Sequence, residues 1–201
     1  MLWVAKHAHR GVRRRELTGY QVILRPPEID DADEWIGLRK KNRNFLKPFE
    51  PKWPEKALTH DFFTRRTKRQ LKDWEDDRAY SFLIFRRDNE EMIGGFNINN
   101  VCRGAAQYAS LGYWIDEAHQ GHGYMAAAMR MGLHFAYHDV KLHRMHAATL
   151  LHNLRSIKLL KRMGFQEEGR AHAYIEIDGY WQDHILFGLV LEQFMQRERE
   201  G

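Results

Sequence analysis

The strand-like run ASLGYWI (Ala109–Ile115) passes through a short acidic link into the turn QGHGYM (Gln120–Met125), and an alanine- and methionine-rich helix starts at once. Met125, Met129, Leu133 and Ala136 then fall on one face at helical spacing. The next apolar run, LHRMHAATL, reads as a strand. A strand, a helix and a strand in that order require a crossover that packs a helix onto one face of a sheet. Gly121 and Gly123 add a second constraint. Glycine tolerates backbone angles and close approaches that other residues do not. A glycine turn opening a helix also presents unpaired N–H groups at a positive dipole end, so the junction is a candidate anion site. It is not a phosphate loop of the GxxxxGK[ST] type. It also lacks the third glycine and the following acid of a dinucleotide fingerprint.

The rest of the chain supplies the partners for such a unit. Tyr20 to Arg25 reads as a strand stopped by two prolines. DDADEWIGLRKKNRNFL reads as a helix capped by Asp30 or Asp31, with acids early and bases late to match the macrodipole. A loop rich in proline and aromatic residues follows, then a basic helix from about Leu58 to Trp74. AYSFLIFRR and EMIGGFNINNV flank the polar turn RDNE as a hairpin. Near the end, HAYIEI and YWQDHILFGLVL surround Asp178-Gly179, a strong hairpin turn. Early hairpins and later crossovers together imply an α/β protein with a mixed sheet and helices on both faces. Ligands in such sheets lie beyond a strand's carboxyl end where a helix begins, which is where Gly121 to Met125 falls.

At 201 residues with 43% hydrophobic content the chain is long enough for one well-buried domain. We divide it into a basic arm (1–19), a single domain (20–191) and a polar tail (192–201). No apolar run reaches the roughly 18 residues of a membrane span. One cysteine, Cys102, excludes an internal disulfide framework and fits a reducing compartment; the reading is cytoplasmic. The net charge of +5 favours an anionic partner, with basic clusters at Lys6–Arg15 and Phe63–Lys72 that otherwise read as solvated faces.

HNLRSIKLLKRMGF is a short helix with Asn153 as its N-cap and Gly164 as a left-handed C-terminal residue. A Gly-loop helix, a strand and an Asn-capped helix ending in Gly-Phe together resemble the acyl-CoA site of the GNAT superfamily of N-acetyltransferases. KKNRNFLKPFEP, GGFNINNVCRGAAQYASLGYWIDEAHQGHGYM and YIEIDGYWQDHILFGL extend the resemblance to its RimJ/RimL branch, nearest the RimJ type, from about Tyr20 to Leu191. The resemblance implies the GNAT fold, with a central, mostly antiparallel sheet. It also implies acetyl-CoA as cosubstrate, and a ribosomal-protein N-terminus as acceptor. Gln120, Gly121, His122, Gly123, Tyr124 and Met125 would wrap the pyrophosphate through backbone N–H groups; Met125 departs from the small residue usual there. Trp114 and Ile115 would hold the pantetheine by main-chain bonds, and Asn153 would bond the pantetheine or acetyl end. Many superfamily members carry a tyrosine four residues before the Gly-Phe to protonate the departing thiolate. Leu160 stands there, and the branch suggests Ser156 instead. Glu176 is the candidate base, with an outward hairpin glutamate as the plain alternative; Asp183 is a weaker candidate, with a structural role favoured. Phe45 and Phe49, with Trp53, would wall the peptide groove, and Asn97 and Asn99, sharing one strand face, would bind peptide main chain.

An amine attacks a thioester only when neutral. An α-amine titrates near 8, against about 10.4 for lysine, so a modest base suffices for an N-terminus. The expected reaction is direct acetyl transfer to the α-amine of an N-terminal Ala or Ser of a ribosomal protein, by analogy the fifth of the small subunit. The basic arm would dock on the ribosome or its RNA. One rival acceptor is a small amine such as an aminoglycoside, polyamine or amino acid. The other rival reading is a non-enzymatic ribosome- or RNA-binding protein on the same fold. His134 and His138 share a helix face and His143 and His146 point apart, but no HExxH or cysteine partner accompanies them, and no metal is expected. Monomer and homodimer both remain open.

Overall fold

The computed structural model of the chain describes residues 11–200, so Lys6 to Arg10 of the basic arm lie outside the described residues. Its strands are β1 (Leu17–Thr18), β2 (Val22–Arg25), β3 (Tyr80–Arg86), β4 (Met92–Cys102), β5 (Tyr108–Ile115), β6 (Arg144–Leu150), β7 (Gln166–Ile177) and β8 (Tyr180–Val190). They form one eight-stranded sheet in the order β1-β2-β3-β4-β5-β6-β8-β7. Every neighbouring pair is antiparallel except β5 and β6, which run parallel across the crossover that the glycine junction begins. The helices are α1 (Ala32–Lys41), α2 (Arg43–Leu46), α3 (His60–Glu75), α4 (Tyr124–His134), α5 (Leu154–Arg162) and α6 (Leu191–Glu200).

Strand alternation divides the core into two layers. One face carries Val22, Phe82, Phe96, Ala109, Met145 and Phe187, and α4, α5 and α6 pack on it through Met129, Leu133, Leu160 and Phe194. The other face carries Leu83, Phe85 and Met92 beneath Trp35 and Leu38 of α1 and Phe63 of α3. Trp74, at the end of α3, is ringed by Tyr80, Phe82 and Phe135 at centroid distances of 5.0 to 5.6 Å. Its indole N–H donates to the Val12 carbonyl (2.7 Å), which ties the described end of the arm to α3.

Three local features differ from the sequence reading. The helix expected over residues 30–46 is interrupted at buried Asn42, where the chain departs from helical angles before α2. Asp31 does not cap α1 with its side chain; its carboxylate accepts the Glu28 N–H (2.7 Å) and a bidentate pair from Arg25. The segment read as a polar tail is helical: Leu191, Phe194 and Met195 form a narrow apolar stripe, and Phe194 lies 4.9 Å from Tyr137. Such a stripe is easily overlooked because charged residues outnumber it. The hairpin at Asp178-Gly179 agrees with the reading, both residues having positive φ (49° and 88°).

Candidate active site

The parallel strands supply the site. β5 and β6 pair only at Tyr108–Ser110 against Arg144–His146. Beyond that point β5 continues to Ile115 and β6 to Leu150, each still paired on its outer side, to β4 and β8. The two strands thus splay, and the inward backbone groups of residues 111–115 have no ladder partner. Unpaired strand edges are ready to bond an extended amide-bearing chain. Trp114 and Ile115 lie on this edge, at the end of β5 that leads to the glycine turn.

Asn153 and Ser156 stand at the start of α5, near the open end of β6. The Asn153 side-chain oxygen accepts the Ser156 N–H (3.2 Å), so it caps the helix. The Ser156 hydroxyl lies 2.6 Å from that of Tyr113, whose ring projects from β5. Tyr113 was not singled out in the sequence. In the structure it pairs in register with buried Phe96 of β4, and nothing local in the sequence names its partner 43 residues away.

Gly121 (φ 78°) and Gly123 (φ 86°) are left-handed, and no crowding accounts for them. A Cβ at Gly121 would meet nothing within 4 Å, and one at Gly123 only the Gln21 side chain at 3.7 Å. Backbone angle is therefore what demands glycine. Gly123 is the N-cap of α4 and offers no side-chain acceptor; the first helical bond runs from Ala127 N–H to Gly123 O (3.0 Å). The N–H groups of residues 124–126 remain at the positive end of the helix. Arg155 adds a cation beside the turn, donating to the Gln120 side-chain oxygen, and the His122 ring stacks on Tyr124 at 6.0 Å.

The link before the turn is anchored from beneath. Asp116 is wholly buried and accepts from Lys41 (3.0 Å) and His119 (2.9 Å), while Asn42 accepts the Glu117 N–H (2.9 Å). Burial alone would push the Asp116 carboxyl up, but Lys41, Asn42 and His119 hold it below its ordinary value. Buried Asn42 thus both interrupts the first helix and bonds the junction.

On the acceptor side, Phe45 and Phe49 are 6.4 Å apart and Phe49 lies 6.0 Å from His152, immediately before Asn153. The hairpin end closes on this wall: Asp178 N–H donates to Glu50 O (3.0 Å), and Lys47 pairs with Asp178 (3.3 Å). Arg39 holds Glu50 (2.8 Å) and lies over Trp53 (4.2 Å) and Trp114 (4.9 Å). Asn97 and Asn99 share the α1/α3 face of β4; Asn97 lines a small recess with Trp35, Arg66, Ser81 and Trp114. Glu176 is exposed opposite Trp181, on the ribbon face away from buried Ile177, and has no polar partner among the described residues. Asp183 accepts the Ala173 N–H (2.8 Å) and bonds from Arg170. These hold its carboxyl down to about 2 and support a bulge where Ala173 has φ 44°.

The structure therefore brings Ser156 and Asn153 together with Tyr113, the glycine turn with Arg155, and Phe45 and Phe49 with His152. Glu176 makes no hydrogen bond to the Ser156 hydroxyl pair. His134 and His138 have rings 4.2 Å apart, with no group of three or more candidate metal ligands among the described residues. Cys102 is half-buried.

These features coincide with an established family. The Acetyltransferase (GNAT) domain family matches residues 21–166. The chain is a GNAT acetyltransferase. Among the relatives of this GNAT enzyme is the ribosomal protein uS5-alanine N-acetyltransferase of Escherichia coli (strain K12). It is 36% identical over 180 residues, covering 89% of this chain and 92% of the relative. Mycobacterium smegmatis RimJ, solved in complex with CoA-disulfide, superposes with a TM-score of 0.81 at 30% identity, covering 89% of this chain and 90% of that one. The ribosomal-protein-S5-alanine acetyltransferase of Vibrio fischeri superposes with a TM-score of 0.83 at 27% identity, covering 88% of this chain and 96% of that one. The GNAT enzyme belongs with the RimJ/RimL branch, is an acetyl-CoA-dependent N-acetyltransferase and has the expected mixed sheet with helices on both faces. No described helix is long and apolar enough to cross a membrane.

Proposed function

We propose that this cytoplasmic enzyme acetylates the N-terminal α-amine of a ribosomal protein that begins with Ala or Ser. The observation that carries the reading is the splay between β5 and β6, flanked by the Gly121–Gly123 turn and the Asn153–Ser156 helix start. The kinship with the Escherichia coli uS5-alanine enzyme supplies the acceptor class. In this reading the backbone N–H groups of residues 120–125 hold the pyrophosphate, and the edge at Trp114 and Ile115 holds the pantetheine. Asn153 donates to the acyl end through its amide nitrogen, its oxygen being used in the cap.

The thioester supplies an activated carbonyl. The neutral amine nitrogen attacks the carbonyl carbon, a C–N bond forms, and the C–S bond breaks with its electron pair on sulfur. Sulfur gains the Ser156 Oγ proton. The nitrogen loses one proton through water to Glu176, and solvent exchange restores both side chains. A relay through water suits Glu176 because it is exposed and unpaired. The α-amine, titrating near 8, needs only a weak base.

Two observations weigh against the rival readings. Arg66 lines the recess beside Asn97 without an ion-pair partner among the described residues, and a cation there disfavours polyamines and aminoglycosides. In the basic helix α3, Arg65, Arg69 and Lys72 pair with Asp61, Asp73 and Asp76, and Arg14 and Arg15 pair with Glu75 and Asp139. That pattern weakens the RNA-binding reading, while Lys6 to Arg10 of the arm lie outside the described residues.

The test is thiol release from acetyl-CoA with short peptides that differ only at the first residue (Ala, Ser, Met), a peptide with an internal lysine, spermidine and an aminoglycoside. Turnover confined to Ala and Ser peptides is expected. Turnover confined to small amines, or equal turnover of the lysine peptide, contradicts the proposal.

A further inference from the structure

We propose that Tyr113 is a positioning residue that aims the Ser156 hydroxyl proton at the departing sulfur. The inference rests on the proposed role of Ser156 as the acid. The geometry begins with a choice of direction. The two hydroxyls are 2.6 Å apart and either could donate. Tyr113 has no other hydrogen-bond partner among the described residues, and a phenol O–H facing the interior takes the acceptor it has. In the proposed arrangement Tyr113 is the donor and Ser156 Oγ the acceptor. That leaves the serine's own hydrogen unused by Tyr113, while the Ser156 N–H is already committed to the Asn153 cap.

The pair also spans the opening. Tyr113 belongs to β5 and Ser156 to α5, on the two sides of the splayed edge, and Tyr113 pairs in register with buried Phe96 of β4. The phenol is thus fixed from the sheet, whereas Ser156, near the helix start, would otherwise sample its three rotamers. Burial pushes the phenol up to about 12, so its proton stays on oxygen across the physiological range. Tyr113 is accordingly a fixed donor and passes no proton on. The proton that reaches sulfur is that of Ser156, and solvent restores it.

The test compares Tyr113→Phe, Ser156→Ala and the double variant in saturating acetyl-CoA and an Ala-initial peptide. Tyr113→Phe keeps the ring, and thermal melting checks that it folds. It is expected to lower kcat about tenfold, the worth of one oriented hydrogen bond, with the acetyl-CoA KM within about twofold. The double variant is expected to be no slower than Ser156→Ala, since the tyrosine acts only through the serine. Multiplying effects would overturn the proposal, as would a Tyr113→Phe loss confined to KM. A second readout needs no acceptor. CoA bound at saturation is titrated by its thiolate absorbance, and both single variants are expected to raise the midpoint, because each weakens the donor to sulfur. If Ser156→Ala raises it and Tyr113→Phe does not, the positioning role is wrong while the acid stands. If neither moves it, the reading of Ser156 has failed and the inference with it. Silence of the peptides with a shifted thiol would place the error in the acceptor alone.

Discussion

Ser156→Ala is expected to lower kcat about a hundredfold and to leave the acetyl-CoA KM within about twofold, the pattern of an interaction made only as sulfur departs. The position where many superfamily members carry a tyrosine is Leu160, which is wholly buried and has no proton to give. The Ser156 side chain does not cap α5, since Asn153 does, so its removal should leave the helix start intact. Steady-state kinetics checks the point. A loss carried entirely by KM would mean that Ser156 binds the cosubstrate and that another group protonates the thiolate.

Gly132→Ala is expected to cost about 2 kcal/mol of stability and to raise the acetyl-CoA KM several-fold. A Cβ added at Gly132 would lie well inside van der Waals contact distance of the Phe96 ring, including a distance of 2.9 Å to Cδ1. Phe96 is wholly buried and held between Phe82 and Tyr113 in register on the neighbouring strands, so it cannot turn away. Helix propensity returns about 1 kcal/mol of the overpacking cost, which runs to about 3 kcal/mol. The remainder lifts α4 from the sheet, and α4 carries the glycine turn at its start. Urea denaturation and the KM measure both parts. An unchanged midpoint with unchanged KM would mean that α4 is less tightly seated than described.

The elements legible in the sequence were those whose signals are local. The turn at Asp178-Gly179, the left-handed glycines, the Asn153 cap and the apolar face of α4 each follow from residue type and spacing within a few positions. The break at Asn42 was not, and the Asn42 side chain bonds the Glu117 N–H, 75 residues away. Nor was the splay of β5 from β6, which depends on the length over which two distant strands pair. The same limit applies within the site. Gly121, Gly123, Asn153 and Ser156 could be named from motif positions, whereas Tyr113, Asp116, Lys41 and His152 gain meaning only from contacts across the fold. Glu176 shows the converse. Strand alternation left its face undecided, and the structure sets it on the face away from Ile177, exposed and without a partner among the described residues.

Amide hydrogen exchange with and without acetyl-CoA tests the central claim, that the cosubstrate lies in the β5/β6 splay with its pyrophosphate on the glycine turn. Saturating acetyl-CoA is expected to slow exchange in two segments, residues 111–115 and 120–126, whose N–H groups include those left open by the splay and the helix start. The edge strand β7 and the exposed face of α3 should be unaffected. Protection that spares both segments, with acetyl-CoA demonstrably bound, would contradict the account and move the cosubstrate elsewhere on the molecule.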